Sequence, residues 1–398
     1  MKLYLILIFI LFSLGSFSQQ DSTEIKKKDK FQIEFLTQLN YGSTNLTNEF
    51  MNKLFWGGRI ENDLKDEILA KTNKTNRFGV EINYETKVYI LDTLFEKHPD
   101  YTYYIGFGSF RNVSVKYSQD FFRTVFYGNK PFTGETVILG KTKIIDTKFE
   151  KITFGILHKN RNTSLGISLI IGDKHNSFNF KQADLFTNTN GRALTLDYDG
   201  KILRSDSSNT GFFAFSGSGL GLDFHHIFFN KYALNISNFG FTIWKRNAKY
   251  SNVEKNYEYT GLEIDNLINI KDGEIEDRAN ELLPETENKT FATLLPTTFR
   301  VDKTFDFKKK IQPIYGVKYK LLSNYFPSAY AGVHYNMNTK IGFSGALAYG
   351  GYTKLRATAG AYLNYKKIYA GIETSNLIGI FSKKSNGNGG NFYLFTHF

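Results

Sequence analysis

The stretch "RFGVEINYETKVYI", residues 77–90, decides the fold class. Phe78, Val80, Ile82, Tyr84, Thr86, Val88 and Ile90 fall on one side of an extended chain, and Arg77, Gly79, Glu81, Asn83, Glu85, Lys87 and Tyr89 on the other. That strict alternation makes a strand with one apolar and one polar face. One such strand suits a soluble sandwich equally well, so the weight rests on how often the pattern returns.

It returns throughout the chain. Near the end, Ile341, Phe343, Leu347 and Tyr349 alternate with Gly342, Ser344, Ala346 and Ala348. In "LRATAGAYLNY" Leu355, Ala357, Ala359, Ala361, Leu363 and Tyr365 alternate with Arg356, Thr358, Gly360, Tyr362 and Asn364, and Ile368, Ala370 and Ile372 alternate with Tyr369, Gly371 and Glu373. The links "NMNTK", "GGYT" and "NYKK" are short enough for tight hairpins. "KITFGILHK", "NTSLGISLIIG", "GLGLDFHHIFF", "YALNISNFGF" and "PIYGVKYKL" read as further strands. Windows of about ten residues are longer than the five or six usual in soluble sheets and suit strands that cross a bilayer. The expectation is an all-β chain: a transmembrane antiparallel β-barrel of about fourteen strands (twelve to sixteen), with short helices in loops or as an N-terminal plug.

Composition agrees. Aromatics make up 16 % of the 398 residues, with 25 Tyr, 38 Phe, 34 Gly and only 6 Pro, which favours extensive sheet. Mean hydropathy is −0.33, and after the first twenty residues no apolar run reaches the length of a membrane helix. "MKLYLILIFILFSLGSFSQQ" has Lys2, an apolar core from Leu3 to Leu14, and small residues Ser16 and Ser18 before Gln19: a secretory signal cut after residue 18. With no cysteine there is no lipidation site after the signal and no disulfide framework. The expected organisation is a signal over 1–18, a periplasmic leader over 19–30 and an outer-membrane barrel over 31–398, with long loops near 45–75, 119–147 and 248–295. The net charge of +12 is assigned to contact with lipopolysaccharide phosphates or to a cation-rich lumen, since a secreted barrel does not meet nucleic acid.

Three segments break the alternation. Residues 48–71 space Ile60, Leu64 and Ile68 at helical intervals, residues 120–127 read as a short helix stopped by Gly128, and 252–287 is acidic with a helix expected near 274–283. Any of the three could plug the lumen or dock a partner, with the first two as candidate plugs, but folded surface or periplasmic loops are the favoured reading.

The final octapeptide "NFYLFTHF" puts Phe392, Leu394, Thr396 and Phe398 on one face. A barrel must pair its last strand with its first, because lipid offers no partner for free backbone groups. Phe392, Leu394 and Phe398 also resemble the terminal signal read by outer-membrane barrel-insertion machinery.

The polar faces carry Glu81, Glu85, Lys87, Asp223, His225, Lys318, Lys320, Arg356 and Glu373. These are expected to line the lumen, where they set selectivity in a pore or pack as ion pairs in a closed interior. No metal site is expected: His225 and His226 point to opposite faces as strand neighbours, and Asp223 with His225 is too few ligands. No G-x-S-x-G elbow supports a lipase built from His226 with Ser216 or Ser218, so neither enzyme nor cofactor is expected.

Taken in order, "QDFFRTVFYGNKPFTGETVIL", "ADLFTNTNGRALTLDYDG", "GSGLGLDFHHIFF" and "AYGGYTKLRATAGAYLNYKKIYAGIETSNLIGIF" resemble an uncharacterised family of Bacteroidota outer-membrane β-barrels. The last stretch is also similar to barrels of the gliding-motility and type IX secretion apparatus. The resemblance implies an outer-membrane location in a Gram-negative bacterium and supplies no catalytic or ligand residues. Two functions follow as expectations: a non-enzymatic channel or transporter for a hydrophobic or small polar solute, or a structural barrel that holds a secretion or motility complex through a periplasmic or surface protein partner.

Overall fold

The computed structural model describes residues 30–91, 100–191, 193–206, 211–245, 247–259, 286–304, 306, 308–322 and 324–398. The signal, nearly all of the leader and the helix expected near 274–283 lie outside the described residues. In chain order the strands are β1 (Phe31–Ser43), β2 (Asn76–Ile90), β3 (Tyr101–Tyr117), β4 (Thr136–Ile138), β5 (Lys143–His158), β6 (Thr163–Thr187) and β7 (Leu194–Arg204). They continue with β8 (Gly217–Phe228), β9 (Tyr232–Trp244), β10 (Lys249–Tyr259), β11 (Glu287–Asn288), β12 (Phe291–Leu294) and β13 (Thr298–Lys303). The last six are β14 (Ile311–Lys320), β15 (Phe326–Asn336), β16 (Ile341–Gly351), β17 (Leu355–Tyr365), β18 (Ile368–Thr374) and β19 (Gly387–His397). Helices α1 (Asn48–Trp56), α2 (Asn62–Ala70), α3 (Gln119–Tyr127) and α4 (Leu377–Phe381) interrupt them.

Fourteen strands close one antiparallel ring: β1, β2, β3, β5, β6, β8, β9, β13, β14, β15, β16, β17, β18 and β19, with β12 continuing the β13 position beside β9. The last strand pairs with the first, Gln32 opposite His397 through Gly42 opposite Gly387. Phe398 extends the closure, its carbonyl accepting from the Lys30 and Phe31 amides. The termini share one end with the short turns, such as Lys366–Lys367 between β17 and β18; every long excursion leaves the other end.

Side chains follow the alternation. Ile105, Phe107, Phe154, Leu165, Ile167, Leu169, Leu220, Leu222, Val333, Phe343 and Leu347 are exposed on the outside. Their neighbours along the chain, such as Tyr104, Thr153, Ser168 and Ala346, are buried inside. A globular protein would not leave so continuous an apolar band in water. Inside, rings fold over glycines of the neighbouring strand. Tyr104 of β3 faces Gly155 of β5, and Tyr393 of β19 faces Gly371 of β18. A Cβ added at Gly155 or Gly371 would lie 2.1 Å or 2.0 Å from those rings, so only glycine fits.

The structure decides one open alternative and departs from the sequence reading in two places. First, α1–α3 are folded surface segments and not plugs. Phe55 of α1 packs edge-on against Tyr41 and tilted against Phe78, and Phe50 meets Phe122 and Phe126 of α3. Those helices cover Phe78, Val80, Val115 and Tyr117, the outward apolar face of β2 and β3 near the loop end. Gly128 ends α3, as the sequence predicts, and Ser118 caps its start by accepting from the Phe121 amide. Second, β6 runs for 25 residues, roughly 80 Å at strand rise. Its first half pairs with β8 in the ring; its second half leaves the ring and pairs with β7, which pairs with β10. The excursion from 173 to 216, absent from the expected loops, is thus a small external sheet, and part of the 248–295 loop belongs to it as β10 and β11. Third, residues 143–147, expected in a loop, begin β5.

Candidate functional site: the barrel interior

The interior is built by the inward half of each strand. All nine sequence-predicted lining residues, Glu81, Glu85, Lys87, Asp223, His225, Lys318, Lys320, Arg356 and Glu373, border one cavity of about 360 Å³. Its lining runs up to Tyr352, Thr353 and Asn376 at the loop end. Lys151, Arg300, Tyr325 and Tyr330 join them. Of these Lys151 was findable, since it heads the polar face of "KITFGILHK". Arg300 sits on a six-residue strand, too short to show a period.

The charges are organised by bridges. Lys151 Nζ lies 2.9 Å from Glu85 and 2.7 Å from Asp223, and Lys87 lies 3.4 Å from Glu85. His225 is hydrogen-bonded to Asn235 at 2.6 Å, so neither Asp223 nor His225 is poised for a metal. Among the described residues no group of three or more His, Cys, Asp or Glu is placed to hold one. Arg300 pairs with Asp302, which also accepts from Tyr330 at 2.7 Å. Tyr362 donates to Glu373 at 2.7 Å. Buried charges need such partners because unpaired ones are costly in a low-dielectric interior.

One bridge crosses the lumen. Glu81 of β2 lies 2.6 Å from Lys320 and 3.6 Å from Lys318, both on β14. Lys320 also donates to Asn112 of β3 at 2.7 Å. β14 stands seven places from β2 in either direction round the ring of fourteen. A circular ring of that size, at about 4.8 Å per strand, would be at least roughly 21 Å across. The reach of one lysine and one glutamate is about half that, so the barrel is flattened there. Asn324, in the turn after β14, donating to the Lys143 carbonyl of β5 at 3.4 Å, reports the same closeness.

The bridge divides the interior. On its β3–β5–β6 side Phe110, Phe149, Ile170 and Leu295 make a dry cluster, with Phe110 and Phe149 stacked at 5.2 Å. Toward the termini lies an aromatic floor: Tyr362, Tyr393 and Phe395 are buried, and Tyr369 stacks on Tyr393 at 5.5 Å. At the loop end Tyr352 lies against Gly79 and meets Tyr325 edge-on at 5.2 Å, so two tyrosines overhang the mouth.

His226 faces outward and bonds Thr163 at 2.7 Å. Ser218 is eight residues away along β8, about 26 Å at strand rise, so the two cannot share a proton. Ser216 lies farther still.

Toward the loop end the outward face departs from the apolar rule. Glu150 and Asp173 point outward yet are buried. Lys148 lies 2.8 Å from Asp173 and 3.6 Å from Glu150, and the Ala214 amide donates to Asp173. The segment carrying Phe212, Phe213 and Phe215 covers the group: Lys148 sits 4.5 Å over the Phe212 ring, and Phe213 packs on Phe107.

Residues 25–373 match the model of a family described as a family of unknown function (DUF5723). No curated protein matches. Among solved structures, similarity is found to a FadL homologue of Pseudomonas aeruginosa (TM-score 0.40, 10 % identity, 93 % of this chain and 90 % of that one). The toluene transporter TodX of P. putida gives 0.34 at 9 % identity, over 93 % and 90 % of the chains. The translocator domain of the autotransporter NalP from Neisseria meningitidis gives 0.30 at 10 %, over 95 % and 91 %.

Proposed function

The chain belongs to the DUF5723 family, which carries no assigned activity, and we propose that it is an outer-membrane barrel that admits a small polar solute to its interior from the loop-bearing end. The observation that carries this reading is the charged and polar cavity of about 360 Å³ enclosed by a closed ring with an apolar outer band. Its volume suits a metabolite-sized guest. Its lining of Glu81, Lys318, Arg356 and their neighbours argues for a polar guest over a hydrocarbon, because an apolar solute would desolvate those charges with nothing in return. The first twenty residues, read as an export signal, and the apolar band together support the outer membrane.

The location has its own test. Ile167 is 56 % exposed at the middle of the apolar band. Replacing it with arginine should cost about 2–4 kcal/mol in lipid, read by urea unfolding of protein inserted in vesicles. An unchanged midpoint would show that this face does not meet the bilayer core.

The functional test is conductance of the refolded protein, residues 19–398, in planar bilayers, with swelling of vesicles in sugar and amino-acid solutions beside it. Discrete steps or solute-dependent swelling are expected. Silence in both would refute passage. The alternative, a scaffold, draws on exposed apolar residues of α1 and α4: Leu54, Phe55, Trp56, Ile378, Ile380 and Phe381. Silence together with a defined protein bound through those helices would replace transport with scaffolding.

A further inference from the structure

The charge in the cavity is not spread evenly. At the floor end Glu34, Glu85, Asp223 and Glu373 outnumber Lys87, Lys151 and Arg300 among its lining groups, and Arg300 is already paired with Asp302. At the mouth end Lys318, Lys320 and Arg356 face one carboxylate, Glu81. Lys320 is spent on the cross-lumen bridge, with its side chain only 4 % exposed. Lys318 is looser: 3.6 Å from the carboxylate Lys320 already holds, 26 % exposed, and 5.6 Å over the Tyr325 ring.

Arg356 has a different role. Nη1 donates to the Gly350 carbonyl at 2.7 Å and to Thr353 at 3.0 Å, and Nη2 donates to Ser328 at 3.1 Å. These acceptors are neutral, and among the described residues no carboxylate lies within salt-bridge distance of Arg356. They fix the guanidinium against the mouth while leaving its charge uncompensated. Three of the five guanidinium N–H groups are used in this way; the two left over, on a cation held rigid beside a mobile ammonium and two tyrosine rings, can receive a carboxylate or phosphate oxygen.

We infer that the mouth end of the cavity, carried by Arg356 and Lys318 beneath Tyr325 and Tyr352, is an anion-selecting subsite for a small carboxylate- or phosphate-bearing solute. The inference rests on the transport reading for its purpose but not for its test. Electrostatic focusing at a narrow, low-dielectric mouth raises the local concentration of the favoured ion and sets which sign enters.

Two measurements separate the two readings. The first is the reversal potential of wild type and of the R356Q/K318Q double variant across a potassium chloride gradient. The second is calorimetric titration of the micelle-held proteins with succinate and, as the cationic control, choline. Wild type should favour chloride over potassium and bind succinate over choline. The double variant should lose the chloride preference and weaken succinate binding by roughly tenfold or more, the scale of one charge-assisted hydrogen bond. R356Q alone keeps donors to Ser328 and Thr353 and guards against a folding artefact, since its thermal midpoint should stay near wild type while succinate affinity falls. Succinate binding with no conductance would keep the subsite and reject the transport reading. Conductance with cation preference, or succinate affinity equal in wild type and variant, would overturn the subsite and leave transport standing.

Discussion

Replacing Glu81 with glutamine is expected to lower the unfolding free energy by about 3–5 kcal/mol, the range for removing one partner of a buried ion pair, and to raise conductance. The carboxylate is almost fully enclosed, and it pairs with Lys320 and Lys318 of the opposite wall at 2.6 and 3.6 Å. Gln38 also donates to it at 2.9 Å, and Asn83 donates to Gln38, so the bridge is anchored in a polar row along β1 and β2. Glutamine keeps the shape and a hydrogen-bonding oxygen but leaves two lysines side by side on β14 without a counter-charge. With the attraction across the lumen lost, nothing ionic holds β14 against β2, and the wall relaxes toward the rounder section that a ring of fourteen strands adopts unstrained. A second substitution divides the two effects. In the E81Q/K320M variant the buried charge is gone and methionine fills similar volume, so stability should recover while the bridge stays absent. Urea unfolding followed by the fluorescence of Trp244, buried in the wall, measures the first effect, and single-channel recording the second. If E81Q matches wild type in both, the flattening has another cause.

Removal of residues 387–398 is expected to abolish the folded barrel entirely. β19 is paired along its whole length with β1 and along seven residues with β18. Without it two strand edges face lipid, and each unpaired backbone group there costs several kilocalories. The check is the gel shift between boiled and unboiled protein after refolding into vesicles: no fast-migrating species should form. Deleting Phe398 alone should slow assembly without preventing it. Phe398 is 60 % exposed at the rim, but its amide and carbonyl take part in the closure with Lys30 and Phe31. Recovery of a folded form from the twelve-residue deletion would mean that β18 and β1 can close the ring unaided. Phe392 and Leu394 lie on the lipid face of the same strand, and Phe392 meets Phe35 edge-on. They therefore serve closure whether or not insertion machinery also reads them.

The alternation in the sequence carries the ring because a lipid-facing wall demands it at every second residue, and Arg77–Ile90 shows it without a break. The same rule sorts Glu81, Lys318 and Arg356 to the inside, since each would be expensive in lipid. What the alternation does not carry is partnership at a distance. Glu81 and Lys320 are joined only once the wall is flattened, and nothing local to either residue announces it. The outward placement of α1–α3 is hidden for a related reason: their apolar stripe suits a lumen and an outer wall equally. Phe78 and Val80 continue the lipid-facing pattern and give no sign that helices cover them. Strand β6 is legible only in its first half, "NTSLGISLIIG", because its partner changes midway, from β8 to β7, near Asp173. Glu150 is the reverse case. Its outward charge looks like an error in the pattern until Lys148 and the Phe212–Phe215 cover are seen.

The glycine slots beneath Tyr104 and Tyr393 bear on how the wall finds its register. Sliding a strand by one residue turns every apolar side chain inward, and the bilayer rejects it. Sliding by two restores the alternation, so hydrophobic patterning is blind to that mistake. The slots are not. A shift of two would set Tyr393 over Glu373 or Tyr369 in place of Gly371, and Tyr104 over Thr153 or Leu157 in place of Gly155, where no ring can lie flat. Each slot works as a key cut for one alignment, and it proofreads the class of error that lipid cannot detect.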